Sequence, residues 1–163
     1  MHLIVSGAHL APGFDLTVNT IQADGFEISK CIEMLLASDS PVGIAKSIGI
    51  GVIGFAQAFA RLRPDNLLVL GDRFEMHAAA LAALPFNIPI AHIHGGEVTQ
   101  GAMDDVLRHS LTKLSYLHIV STPEYARRVA QLGEEAWRIT ISGAPSLDNL
   151  RAMALPTREQ PET

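Results

Sequence analysis

The chain has 163 residues, 48% of them hydrophobic and 18% charged. This is the composition of one ordinary globular domain, large enough to bury a core, and it excludes a disordered chain. A net charge of −5 supplies no basic surface for a phosphate backbone, so nucleic acid is not expected as a partner, although a local basic pocket for a small anion is still possible. Cys31 is the only cysteine, so no disulfide can form within the chain. The opening "MHLIVSGAHL" has no basic segment ahead of an apolar run, and together these features point to the cytoplasm.

Short apolar runs alternate with helical patterns. "LIVSG" (3–7) reads as a strand, and 12–25 as a loop with one helical piece. "FEISKCIEML" (26–35) alternates like an edge strand. Residues 40–63 read as a long helix, with Ser38, Asp39 or Ser40 as its cap and Pro41 in its first turn. This stretch is the most membrane-like in the chain, but Lys46 and four glycines make it a buried helix rather than a span. Strands follow at 66–72, 88–96, 117–122 and 137–145, and helices at 74–85, 102–116, 123–133 and 146–153. The alternation predicts an α/β fold: a Rossmann-like parallel sheet with helices on both faces. Met34, Met76 and Met103 read as core filler.

Ligands bind such sheets beyond the carboxyl ends of the strands. Four strands end there in "SG" (6–7), "GDR" (71–73), "HGGE" (94–97) and "ST" (121–122). Arg73 offers a fork to phosphate or carboxylate, with Asp72 at the strand tip. The plainer alternative is that Asp72 caps the next helix and Arg73 pairs with Glu75. His92 and His94, two apart on a strand, should share a face. Gly95 and Gly96 would let backbone approach a ligand. His92, His94 and Glu97 with Asp104 or His109 could hold a metal; substrate binding, proton transfer and plain structural roles are the other readings. Asp104 and Asp105 open a helix, and the spacing predicts the pairs Asp104–Arg108 and Asp105–His109. One aspartate could instead face the strand tips as a base. His9 sits in a loop, and His118 reads as structural.

The blocks "VSGAHLAPGFDLTVNTIQADGF", "GDRFEM", "NIPIAHIHGGEVTQGAMDDVLRHSLTKLSYLHIVST" and "GAPSLDN", taken in order, resemble the UDP-N-acetylglucosamine 2-epimerase family, above all its UDP-hydrolysing branch serving sialic acid synthesis. The resemblance implies two Rossmann-like domains, as in GT-B glycosyltransferases, with the sugar nucleotide between them. Residues 1–153 would be an incomplete amino-terminal domain and 154–163 a polar tail leading towards the interdomain connection. By that resemblance, the second domain and a first strand with its Gly/Asn-x-Arg-Ala-Asp-Tyr loop ahead of Leu3 would lie outside these residues. A sheet lacking that strand would carry unpaired edges, favouring self-association.

The implied reaction is removal of the sugar C2 proton, loss of UDP from C1, and addition of water. For UDP-N-acetylglucosamine the product is N-acetylmannosamine; the alternatives are UDP-diacetylbacillosamine as substrate, or a non-catalytic remnant domain. The resemblance assigns catalysis to Asp72, His94, Glu97 and Asp104, and substrate binding to His9, Arg73, His92, Arg108 and His109. Some relatives carry glutamate at the position of His94. No metal or cofactor is called for. The implied partner is a UDP-sugar, with no membrane and a homo-oligomeric full-length enzyme. The isolated chain is expected to show little turnover.

Overall fold

A computed structural model describes residues 1–99 and 103–152; the predicted polar tail lies outside them. Among the described residues six strands form: β1 (Leu3–Ser6), β2 (Ile28–Ile32), β3 (Leu67–Leu70), β4 (Ile90–Ile93), β5 (Leu117–Val120) and β6 (Ile139–Ile141). Between and after them run α1 (Val18–Ala23), α2 (Pro41–Leu62), α3 (Phe74–Ala83), α4 (Met103–Leu114), α5 (Pro123–Gln131) and α6 (Ser146–Ala152). Every strand pairing is parallel. This is the α/β, Rossmann-like architecture that the alternation predicts.

Helix caps follow the sequence closely. Of the three candidate caps for α2, Ser40 takes the role: its hydroxyl accepts from Gly43 N at 3.1 Å, with Pro41 at the first position. Thr122 caps α5 in the same way, ahead of Pro123. α2 is the one described helix long and apolar enough to cross a membrane, by length and composition. It buries Gly43, Ser47, Gly51, Phe55, Ala58 and Phe59, a spacing of three to four residues that marks one helical face. That face packs on α3, whose Ala78, Ala79, Ala80, Ala82 and Ala83 are all buried. Small residues on both helices allow the close approach. Phe55, Phe59, Val69, Ile90 and Leu111 fill the core between helices and sheet. Met34 and Met76 contribute to it, but Met103 does not. It opens α4 at 47% exposure, because the periodic face of that helix places Arg108, Leu111 and Thr112 inward instead.

The sheet is not continuous. β1 pairs only with β2, and β3 to β6 form a second sheet. Between β1 and β3 lies a slot of about 650 Å³, lined by Leu3, Ile4, Leu67, Leu68 and Val69 over Phe55 and Phe59. Leu67 N bonds to Pro89 O and Gly71 N to Ile93 O. The amides of Leu68 and Leu70, alternating with these, therefore face the slot. On the sheet itself, Val69, His92 and His118 share the buried face, while Leu68 and Leu70 on the other stay 62% and 56% exposed. Cover on that second face is therefore only partial among the described residues.

Candidate functional site

The carboxyl ends of β3, β4 and β5 carry the densest polar cluster. Its centre is Arg108, projected from α4 towards the strand tips. One guanidinium nitrogen, Nη1, donates to Glu97 Oε2 at 3.0 Å and to His94 O at 3.4 Å; the other, Nη2, donates to Asp72 Oδ2 and to Thr99 Oγ1 at 2.9 Å. The Arg108 side chain is 7% exposed, against 20% for Asp72 and 27% for Glu97. One buried cation thus ties two carboxylates whose outer edges reach solvent. The predicted Asp104–Arg108 pair does not form, because Arg108 turns inward to Asp72 and Glu97.

Glu97 is held from three sides. Its Oε1 accepts from the His94 ring, Nδ1, at 2.6 Å and from the Ser121 hydroxyl at 2.9 Å. Burial works to raise the Glu97 carboxyl, but the hydrogen bonds from His94, Ser121 and Arg108 outweigh it and leave it below its ordinary value. Glu97 is therefore a carboxylate at neutral pH. It orients His94 much as a buried acid orients histidine in hydrolases, leaving Nε2 for chemistry.

His92 and His94 do not share a face. β4 ends at Ile93, and His94 adopts φ +66°, so the two-residue alternation stops one residue too early. His92 points into the core, fully buried, its Nε2 2.7 Å from Gly71 O. Burial holds its pKa down to about 4, against the opposing pull of that carbonyl. The ring therefore supports the turn that carries Asp72 and has no open atom to offer a ligand. With the two rings diverging, the metal reading loses its geometry. Among the described residues no group of three His, Cys, Asp or Glu side chains is placed to hold an ion.

Gly95 and Gly96 are required by packing. A Cβ on Gly95 would sit 3.3 Å from both His92 Nδ1 and Thr112 Oγ1, and one on Gly96, at φ +77°, would sit 2.5 Å from Tyr125 O. Asp105 accepts from Thr99 N at 3.2 Å and lies 3.7 Å from His109 Nε2, so the second predicted helix pair does form. Asp104 is close enough to Arg73 to act on it electrostatically. Asp72 does not cap α3. Arg73 does pair with Glu75, while its own side chain stays 61% exposed. His9 stands apart on its loop, 2.7 Å from Thr17 Oγ1. His118 is fully buried against Glu134 at 3.2 Å, a structural pair as expected.

Two members of the cluster, Thr99 and Ser121, have no role in the sequence reading, whereas Glu75 is the partner that reading gives Arg73. Ser121 had a signal in "ST" closing a strand; Thr99 had none beyond proximity to the motifs.

The family model for UDP-N-acetylglucosamine 2-epimerase matches residues 1–163. The chain belongs to that family. It is 45% identical over 144 residues to a Campylobacter jejuni protein named GDP/UDP-N,N'-diacetylbacillosamine 2-epimerase (hydrolyzing), covering 88% of this chain and 37% of that one. It is 41% identical over 159 residues to a Legionella pneumophila UDP-N,N'-diacetylbacillosamine 2-epimerase (hydrolyzing), covering 98% and 42%. The chain thus spans about two-fifths of these relatives' length. The family fold is also seen in the solved Neisseria meningitidis UDP-GlcNAc 2-epimerase bound to UDP-GlcNAc, with a TM-score of 0.80 at 18% identity, covering 92% of this chain and 40% of that one. The GT-B-like epimerase architecture agrees with the parallel sheets seen here.

Proposed function

We propose that this chain carries one wall of the active site of a hydrolysing UDP-sugar 2-epimerase. The observation that carries the reading is the Arg108 cluster: Asp72, Glu97 and His94 gathered at the strand tips, with Arg73 and Asp104 beside them.

The reaction needs a base at C2, help for the departing diphosphate, and an acid–base group for water addition. Asp72 gives Arg108 its Oδ2 and keeps Oδ1 for a substrate proton. His94, oriented by Glu97, exchanges a proton through Nε2 on the elimination or hydration step. Arg73 and its neighbourhood receive the diphosphate. As the C2–H bond breaks, its electron pair forms the C1–C2 double bond and UDP leaves from C1 as an anion. Water then adds its hydroxyl to C1 and a proton to C2, giving the free epimerised sugar.

The preferred substrate is UDP-diacetylbacillosamine, ahead of the UDP-N-acetylglucosamine first expected. Relatives named for the former are 45% and 41% identical, whereas a Neisseria meningitidis protein named UDP-N-acetylglucosamine 2-epimerase is 31% identical.

The test is a chimera in which the matched segment of the Campylobacter relative is replaced by this chain's residues. UDP release is then measured with both sugars. Asp72→Asn should lower kcat at least 100-fold, with the diacetyl sugar turned over faster. An Asp72→Asn chimera that keeps its rate would overturn the catalytic assignment; preference for UDP-N-acetylglucosamine would overturn the substrate.

A further inference from the structure

Glu75 is a buried acid that the proposed reaction does not use. It lies in the first turn of α3 with its side chain 5% exposed, and both its oxygens engage Arg73: Nε to Oε2 and Nη2 to Oε1, each 3.2 Å. A carboxylate in the first helical turn is favourable, but that effect calls for neither burial nor a two-pronged grip on a mostly exposed arginine.

Gly7 supplies the second observation. It follows β1 at φ +61°, and a Cβ there would collide with Glu75 at Oε1, Cγ and Cδ. The Glu75 carboxyl is therefore seated against the backbone at the tip of β1 while it grips the residue at the tip of β3. The grip uses Nε and one face of Nη2, and Nη1 has no partner among the described residues. Arg73 also stacks over Phe74, 5.8 Å from the ring centroid, so the guanidinium is held from two directions. Arg73 is held above its ordinary pKa, chiefly by the Glu75 bond.

We propose that Glu75, wedged against Gly7, is the positioning residue that aims the Arg73 guanidinium at a phosphate group of the ligand. This rests on the reading of Arg73 as a diphosphate ligand. An aimed fork needs less ordering on binding than a free arginine side chain. The consequence opposes simple charge counting. Removing a carboxylate beside an anion site should strengthen anion binding by Coulomb's law; loss of the positioning residue should weaken it.

The experiment titrates the chain with inorganic pyrophosphate, following the Arg73 Nε–Hε signal by ¹⁵N NMR. Glu75→Gln should weaken binding about fivefold or more and speed exchange of that proton. Gly7→Ala, which pushes Glu75 aside without altering charge, should do the same. Asp24→Asn, a distant exposed site with the same charge change, should leave both unaltered. Tighter or equal binding in Glu75→Gln, or unaltered Hε exchange, overturns the proposal. If Arg73→Ala binds pyrophosphate as well as the wild type, the reading of Arg73 itself fails; if Arg73→Ala weakens binding and Glu75→Gln does not, the positioning role alone fails.

Discussion

His92 should make this chain acid-sensitive well above the carboxylate range. In the folded protein its pKa lies at about 4, whereas in the unfolded chain it returns to about 6.5. Between those values the unfolded state binds a proton that the folded state refuses, so stability falls as pH falls. The shift of roughly 2.5 units, at 1.36 kcal/mol per unit, sets the loss at about 3 kcal/mol by pH 4. That is a large share of a typical domain's total stability. Burial also lowers His118 and His77, which adds to the slope with the same sign, so the measurement is a difference. Urea midpoints would be taken at pH 7, 6, 5 and 4.5 for the wild type and for His92→Gln, whose amide can still donate to Gly71 O. The wild type should lose more stability on acidification, with a gap that widens towards pH 4.5. Parallel curves for the two proteins, or a His92 ring that titrates near 6.5 by NMR, would refute the reasoning.

Three further outcomes follow from the packing. Arg108→Leu leaves Asp72 and Glu97 facing each other without their cation and should cost about 3 kcal/mol, measured by urea unfolding at pH 7; a loss below about 0.5 kcal/mol would show that solvent already screens the pair. Gly96→Ala adds a Cβ 2.5 Å from Tyr125 O to a strained φ, whereas Gly71→Ala, at φ +81° with open space around it, adds strain alone. The first should destabilise by about 3 kcal/mol and the second by about 1 kcal/mol, and equal losses would remove the packing account of the Gly-Gly pair. The unpaired β1 and β3 edges and exposed Leu68 and Leu70 should drive concentration-dependent association. Sedimentation velocity should show it reduced by Leu68→Lys, and a monomer at all concentrations would count against it.

Elements with local signals were legible in the sequence. "SPVG" announced the start of α2 because a serine cap and a first-turn proline act within four residues. The strand tips were legible too, since apolar runs stopped at Gly, Asp, Ser and Thr. What spacing could not reveal was the partner of a long side chain. Asp104 lies four residues from Arg108, but Asp72, 36 residues away, takes the guanidinium, because α4 turns that face towards the sheet. The same limit hid His94. Its strand period was sound through Ile93, and the left-handed φ at His94 that ends it is marked by no spacing rule.

The Arg108 cluster also divides labour among its acids. Both Glu97 oxygens are occupied, Oε1 by His94 and Ser121 and Oε2 by Arg108, so this carboxylate has little capacity left for a substrate proton. Asp72 spends only Oδ2 on Arg108. If Asp72 is the base and Glu97 the group that orients His94, their amide variants should differ in kind. Asp72→Asn removes the proton acceptor and should abolish the pH-dependent rate at every pH. Glu97→Gln keeps the shape but offers one oxygen where two were used, so His94 loses its aim and its charged partner. The chimera carrying Glu97→Gln should therefore retain residual turnover, with a kcat below that of the unsubstituted chimera and above that of Asp72→Asn. Identical, complete losses in both variants would place the two carboxylates in one shared role instead.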